Sequence, residues 1–179
     1  LQMVFEVCRM AGWLTEPTEA VHVGFGNVLG EDRKMMRSRA GDSVKLADLL
    51  DEAVERAAAA IAEKNPDIVP EERLVVANMV GIGALKYADL STERIKDYVF
   101  DWDRMLAFEG NTGPYLQYAH ARICSIFRRA GIDRASVRSA HITLDQPQER
   151  ALAMRLIAYP SAIDTTLDSY SPHKLCTYV

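Results

Sequence analysis

Paired cysteines are missing from this sequence. Cys8, Cys124 and Cys176 are scattered, with no CxxC pair and no Cys/His ligand spacing. That excludes a disulfide framework and a zinc site, and points to reduced thiols in a cytoplasmic protein. No signal peptide is present and no apolar run is judged long enough to span a membrane, so no membrane partner is expected. No Gly-x-x-x-x-Gly-Lys-Ser/Thr segment occurs, which excludes a Walker loop. His22, His120, His141 and His173 share no spacing, and no nucleophile has an evident base nearby. His120 and His141 are therefore given structural or surface roles. Repeats and low-complexity tracts are absent.

What is present is a globular composition, 49% hydrophobic and 26% charged over 179 residues, enough for one domain or parts of two. The net charge of −4 argues against indiscriminate nucleic-acid binding, but it is unevenly spread. Residues 1–89 carry 10 basic and 15 acidic side chains, and residues 90–179 carry 11 and 10. Arg122, Arg128, Arg129, Arg134 and Arg138 cluster with only Asp133 opposing them. A local cation cluster on an acidic chain suits a specific RNA partner. Both ends fall inside apolar-periodic segments, and Leu1 is not a methionine. A fragment of a longer chain is expected.

Leu1 to Ala11 reads as a helix stopped by Gly12. Val21 to Leu29 alternates and is rich in β-formers, so a strand is expected. Gly24 and Gly26 within it suggest close approach of a ligand or of another backbone. Residues 30–41 form a polar loop with Lys34, Arg37 and Arg39, followed by Ser43 as a helix cap. Such a loop suits either plain solvent exposure or a polyphosphate. The next helix has an apolar stripe from Leu46 to Ile61. Asn65 to Pro70 is a linker, and Glu71 to Ala88 is helical, with Gly81 and Gly83 allowing a close neighbour. Ser91 to Phe100 is a polar connection. Helices are expected over Gln146–Ala158 and Ala162–Tyr170, with a break at Pro160.

The stretch Asp101–Arg129 carries the most information. Gly110, Asn111 and Gly113 mark a turn, and Pro114 suits a first helical position. Leu116, Ala119, Ile123, Ile126, Phe127 and Ala130 form a core stripe on a helix expected to be central. Tyr118, Arg122, Ser125 and Arg129 recur on the opposite side, two planar cations and a ring with no acid among them. That face is either a solvated basic surface or one for phosphates and stacked bases. Arg94 lies outside it and serves as a reference position.

Asp101-Trp102-Asp103, Phe108 through Tyr118, Arg122 and Ser125-Ile126 together resemble arginyl-tRNA synthetase, where the catalytic domain hands over to the anticodon-binding helices. Residues 22–52 and Val80–Tyr87 resemble the same family, so the likeness covers nearly the whole chain. It implies a mainly α fold: the C-terminal edge of a Rossmann-type catalytic domain, with a short strand and signature loop, followed by a helical-bundle anticodon-binding domain. Boundaries are expected at 1–64 for the catalytic part, 65–100 for a connecting, stem-contacting region and 101–179 for a truncated bundle. Lys34-Met35-Met36-Arg37-Ser38-Arg39 stands where class I synthetases carry the KMSKS signature; Arg37 replaces its second lysine and Met36 a small or aromatic residue.

The resemblance implies ATP-dependent activation of arginine and its transfer to the 2′-hydroxyl of the terminal adenosine of tRNA. Lys34 and Arg37 are the implied catalytic cations. His22, Gly24, Lys34, Arg37, Ser38 and Arg39 are the implied ATP contacts, with Mg2+ arriving on ATP. Asn111, Tyr115, Gln117, Tyr118, Arg122 and Arg129 are the implied tRNA contacts. No HIGH-type signature occurs, so the arginine-binding residues lie elsewhere and the piece alone is expected to be inactive. Its His173-Lys174-Leu175-Cys176 segment is read as bundle packing. The oligomeric expectation is a monomer. Two other classes stay open, a plain RNA-binding helical module and a non-catalytic synthetase paralogue used in protein interaction.

Overall fold

Alanine and glycine set the centre of the fold, because two helices carrying them can approach until their backbones touch. In the computed structural model, which describes residues 1–30, 32–34 and 45–179, helix α2 (Leu46–Lys64) buries Ala53, Ala57 and Ile61 at four-residue steps. Helix α3 (Pro70–Ser91) answers with Ala77, Gly81 and Ala84. A Cβ built on Gly81 falls 2.5 Å from the Ala53 carbonyl oxygen, so no larger residue fits at this crossing. Val54, Ala58, Val76, Val80 and Leu106 close around the seam. Asn65 ends α2, Val69 is extended, and Pro70 starts α3, as the missing N–H of proline allows.

α3, not the helix after Pro114, is central. It packs on α2, on the short helix α4 (Trp102–Met105), on α5 (Gly113–Ala130) and on α8 (His173–Tyr178). Contacts on several sides explain why its apolar residues are not confined to one stripe. By length and composition α3 is also the one helix among the described residues that could cross a membrane, contrary to the expectation that no such run exists; here it is packed on protein.

α5 begins as expected. Thr112 caps it by accepting from the Tyr115 N–H at 3.3 Å, and Gly113 and Pro114 are buried. Gly113 seats against the Gly83 carbonyl of α3, 2.8 Å from a Cβ placed there. Gly131, left-handed at φ 65°, ends it. The expected core stripe does not stay buried: Leu116 and Phe127 are half-buried, whereas Ile123 is 53% and Ile126 66% exposed. α3 meets the start of α5 through Gly113 and Gln117, whereas Ile123 and Ile126 further along stay open to solvent.

At the N-terminus α1 (Gln2–Met10) stops before Gly12, whose φ is 72°. The expected strand over 21–29 contracts to β1 (Val28–Leu29), parallel to β2 (Tyr98–Val99) in a two-stranded ladder. β2 lies in the segment read as a polar connection. A Cβ on Gly26 falls 2.3 Å from the Lys96 carbonyl oxygen, so the close approach there is backbone on backbone. After α5 come a 3₁₀ turn (Ser136–Ser139), α6 (Pro147–Ile157) and α7 (Tyr159–Asp168). The chain bends at Ala158, and Pro160 sits in the first turn of α7 instead of breaking the chain there. Ser43, the expected cap of α2, lies outside the described residues; Lys45 precedes the helix.

Candidate nucleotide and tRNA site

Gly30 and Lys34 close a tight turn ahead of the signature loop. The Gly30 N–H donates to the Lys34 carbonyl at 2.9 Å, and the Arg33 N–H to the Gly30 carbonyl at 2.8 Å. Arg33 adopts φ 58°, a left-handed value that few side chains tolerate. Asp32 fixes the turn by accepting from the Lys34 N–H at 3.0 Å, and that hydrogen bond holds its carboxyl below the usual range. The Lys34 ammonium rests 3.5 Å from the same carboxylate with 82% of its side chain exposed. An exposed pair of this kind contributes little, so Lys34 can leave Asp32 for a phosphate. Arg37, Ser38 and Arg39 lie outside the described residues.

His22 is exposed and Gly24 half-buried on the approach to β1. The segment is held from one side by 93–100. Asp97 accepts from the Asn27 N–H at 2.6 Å and from its side-chain amide at 3.0 Å. The Tyr98 N–H donates to the Asn27 carbonyl at 3.1 Å, and the Phe100 N–H to the Leu29 carbonyl at 2.8 Å. Between the turn, β2, α3 and the start of α5 lies a cleft of about 590 Å3 whose wall includes Arg33, Tyr87, Tyr98, Asp101, Arg104 and Asn111.

The Asp101–Tyr118 stretch serves mostly as joinery. Asp101 caps α4 through the Arg104 N–H. Trp102 meets Phe100 edge-on at 4.8 Å and carries the Arg56 guanidinium of α2 over its face at 5.1 Å. Phe108 receives Lys64, also from α2, at 4.6 Å. The Thr112 hydroxyl donates to the Ala107 carbonyl at 2.6 Å. Asn111 meets the Tyr87 hydroxyl, which also lies 3.2 Å from the Cys176 carbonyl of α8. One hydroxyl proton serves one acceptor at a time; with it on the Cys176 carbonyl, Asn111 turns its NH2 to the tyrosine oxygen. Burial, and then the neighbouring Cys176, push the Tyr87 hydroxyl above its ordinary pKa.

The six tRNA candidates therefore divide. Gln117 spends its amide on the Met79 carbonyl of α3 at 3.0 Å, and Asn111 is tied to Tyr87. Tyr115 and Tyr118 are 44% and 50% exposed, and Arg129 is exposed. Arg122 lies 5.7 Å from the Tyr118 ring centroid, a stacked cation and ring on the open face of α5. Tyr118, Arg122 and Arg129 share one exposed face of α5.

Sequence reasoning missed Tyr87, Arg104 and Arg94. Tyr87 had a signal, the one aromatic residue in helix α3. Arg94 has no local signal: its guanidinium donates to carbonyls at Gly24, Ser169 and Tyr170, all at least 70 residues away. It is therefore no neutral reference position. Among the described residues no group of three or more His, Cys, Asp or Glu side chains is arranged to hold a metal.

Residues 1–102 match the family model of tRNA synthetases class I (R), catalytic domain, and residues 116–179 match the DALR anticodon binding domain. Over its whole length the chain is 54% identical to arginine–tRNA ligase of Thermobifida fusca (strain YX) and 48% identical to that of Enterobacter sp. (strain 638). It spans 31% of the length of each of these curated relatives. The fold is similar to arginyl-tRNA synthetase from Thermus thermophilus, with a TM-score of 0.78 and 35% identity over 98% of this chain and 28% of that one. It is also similar to the Plasmodium falciparum enzyme, with a TM-score of 0.82 and 29% identity over 99% of this chain and 29% of that one. The catalytic-domain match alone takes in more than half of the residues, and with the helical fold it establishes that the chain belongs to the class I tRNA synthetases of the arginyl type.

Proposed function

We propose that the protein containing this chain is an arginine–tRNA ligase, and that the chain supplies its phosphate-binding turn and its first tRNA-binding helices. The observation that carries this is the order of the two matches along one chain, a catalytic domain of the arginyl class followed by an anticodon-binding domain. The substrates are arginine, ATP with its Mg2+, and tRNA for arginine. In the first step the arginine carboxylate attacks the α-phosphorus of ATP, and pyrophosphate leaves. In the second, the 2′-hydroxyl of the terminal adenosine attacks the adenylate carbonyl, and AMP leaves. Neither step needs a protein nucleophile; both need positioning and cations where charge builds up.

Lys34 can serve as one such cation because, among the described residues, only an exposed aspartate holds it. Arg37, Ser38 and Arg39 complete the proposed phosphate contacts, with His22 and Gly24 on the adenine side. Tyr118, Arg122 and Arg129, with Tyr115 beside them, form the proposed RNA face; Asn111 and Gln117 contribute by holding α5 in place. We place the functional boundaries at 1–64, 65–100 and 101–179, the reaction in the cytoplasm and the protein as a monomer. Three unpaired cysteines suit a reducing compartment. The test is arginylation of unfractionated tRNA by the full-length protein with each of the twenty amino acids. Charging by arginine alone supports the assignment. A full-length protein that binds tRNA yet charges it with nothing points to the non-catalytic paralogue.

A further inference from the structure

Resting on that functional reading, we infer that Arg94 is a positioning residue that ties the tRNA-side helices to the nucleotide-side segment, so that one side chain sets their relative placement. Its own carbonyl accepts from the Gly26 N–H at 2.7 Å, which fixes the backbone of Arg94 beside the His22–Gly26 segment. Its guanidinium then spans outward. One end donates to the Gly24 carbonyl. The other donates to the Tyr170 carbonyl at 3.1 Å and lies 3.5 Å from that of Ser169.

Those last two carbonyls belong to the corner between α7 and α8. Ser169 follows the last residue of α7, and Tyr170 is left-handed at φ 49°. Carbonyls at a helix C-terminus have no intrahelical donor and sit at the negative end of the macrodipole, so a planar cation is well matched to them. Ser171, buried, fixes the corner from within: its N–H donates to the Thr166 carbonyl at 3.0 Å.

The inward half of the tie has no slack. Gly26 is pressed so close to Lys96 that a methyl group would overlap its carbonyl, and Asn27 is pinned twice by Asp97. The outward half ends on α7 and α8, and α8 packs on α3, which also carries α5 and its RNA face. A rigid five-donor fork held by three carbonyls transmits a displacement, where an aliphatic contact would slide. The guanidinium is half-buried and occupied, so it does not itself serve as a phosphate contact.

The test uses the full-length protein with Arg94→Ala and Arg94→Lys. Hydrogen exchange is read at amides 24–29 and 166–171, together with the tRNA dissociation constant and arginylation kcat at a temperature well below melting. In Arg94→Ala both segments should exchange faster by about tenfold, although they are distant in sequence. At the same time kcat should fall about tenfold with the tRNA dissociation constant within about twofold of the parent. Arg94→Lys, whose ammonium cannot span all three carbonyls, should fall between. Parent-like exchange in either segment overturns the tie. Unchanged kcat with raised exchange reduces Arg94 to a brace, and a tRNA affinity loss matching the activity loss makes it an RNA contact instead. If the parent protein does not charge tRNA with arginine, the functional reading fails while the exchange arm still decides whether the tie exists.

Discussion

Replacing Gly81 and Gly83 by alanine, one at a time, separates backbone contact from ordinary helix packing within a single turn of α3. At Gly81 the new methyl lies 2.5 Å from the Ala53 carbonyl oxygen, 2.7 Å from its carbon and 2.8 Å from the Val54 nitrogen. All three are backbone atoms of helix α2, so none can rotate away. Restoring a normal contact requires the helices to part by roughly 1 Å, which loosens every neighbour along the seam. Overpacking of this kind costs about 1–3 kcal/mol, and a clash with helix backbone belongs at the upper end. Alanine returns about 1 kcal/mol of helix propensity. The net is a loss of about 2 kcal/mol, or about a 30-fold faster exchange of the protected amides of α2 and α3.

At Gly83 the methyl meets only the end of Gln117, 2.6 Å from its Nε2. That amide can swing aside, giving up its bond to the Met79 carbonyl, worth about 0.5–1.5 kcal/mol. The same propensity gain of about 1 kcal/mol nearly cancels this. Gly83→Ala should therefore exchange within about threefold of the parent. Native-state hydrogen exchange on the full-length protein measures both. Equal protection in the two variants would show that α2 and α3 do not meet backbone to backbone, and the central packing described here would be wrong.

Lys34→Ala in the full-length protein should slow pyrophosphate exchange by about 2–4 kcal/mol, by analogy with removing an oxyanion donor, with little change in the KM for arginine; an unchanged rate excludes Lys34 from the phosphate site. Arg122→Glu with Arg129→Glu should weaken tRNA binding and flatten its salt dependence, while Lys86→Glu, an exposed position on α3, should not; parent-like binding by the double variant makes the α5 face a solvated surface. Tyr87 adds an alkaline limit to stability. Its folded pKa lies above the ordinary 10.0, raised chiefly by burial, so its contribution is complete below that pH and is lost as pH rises through the higher folded value. Urea unfolding of Tyr87→Phe across pH 9–12 should show less alkaline loss than the parent, and an identical profile removes Tyr87 from the account.

Periodicity exposed the helices because each has a run of several turns to display it. α2 and α3 were legible from Leu46–Ile61 and from Leu74–Leu85, and the role of Gly81 from its place inside an apolar helix. The strand was overextended because alternation over Val21–Leu29 looks the same whether or not a partner exists. Only Val28 and Leu29 find one, and that partner, Tyr98–Val99, sits in a segment too polar and short to announce itself. For α5 the apolar stripe is a real pattern but not a buried one: periodicity says which residues share a face, not whether anything covers it. Ile123 and Ile126 share the face of Leu116 and Phe127 and stay exposed.

The site was less legible than the fold for a related reason. The stretch that carries the family resemblance is read most easily as a binding surface, yet many of its residues hold elements together. Asp101 and Thr112 are caps, Trp102 and Phe108 take cations from α2, Gly113 is a contact point and Asn111 a hydrogen-bond partner. Turn and aromatic residues at a junction between two parts of a chain look alike from sequence whether they serve a ligand or the junction. What separates the roles is the partner of each polar atom. By that criterion Gln117 and Asn111 belong to the junction, Arg122 and Tyr118 stay on an open face, and Arg94, unremarkable in the sequence, joins segments at least 70 residues away on both sides.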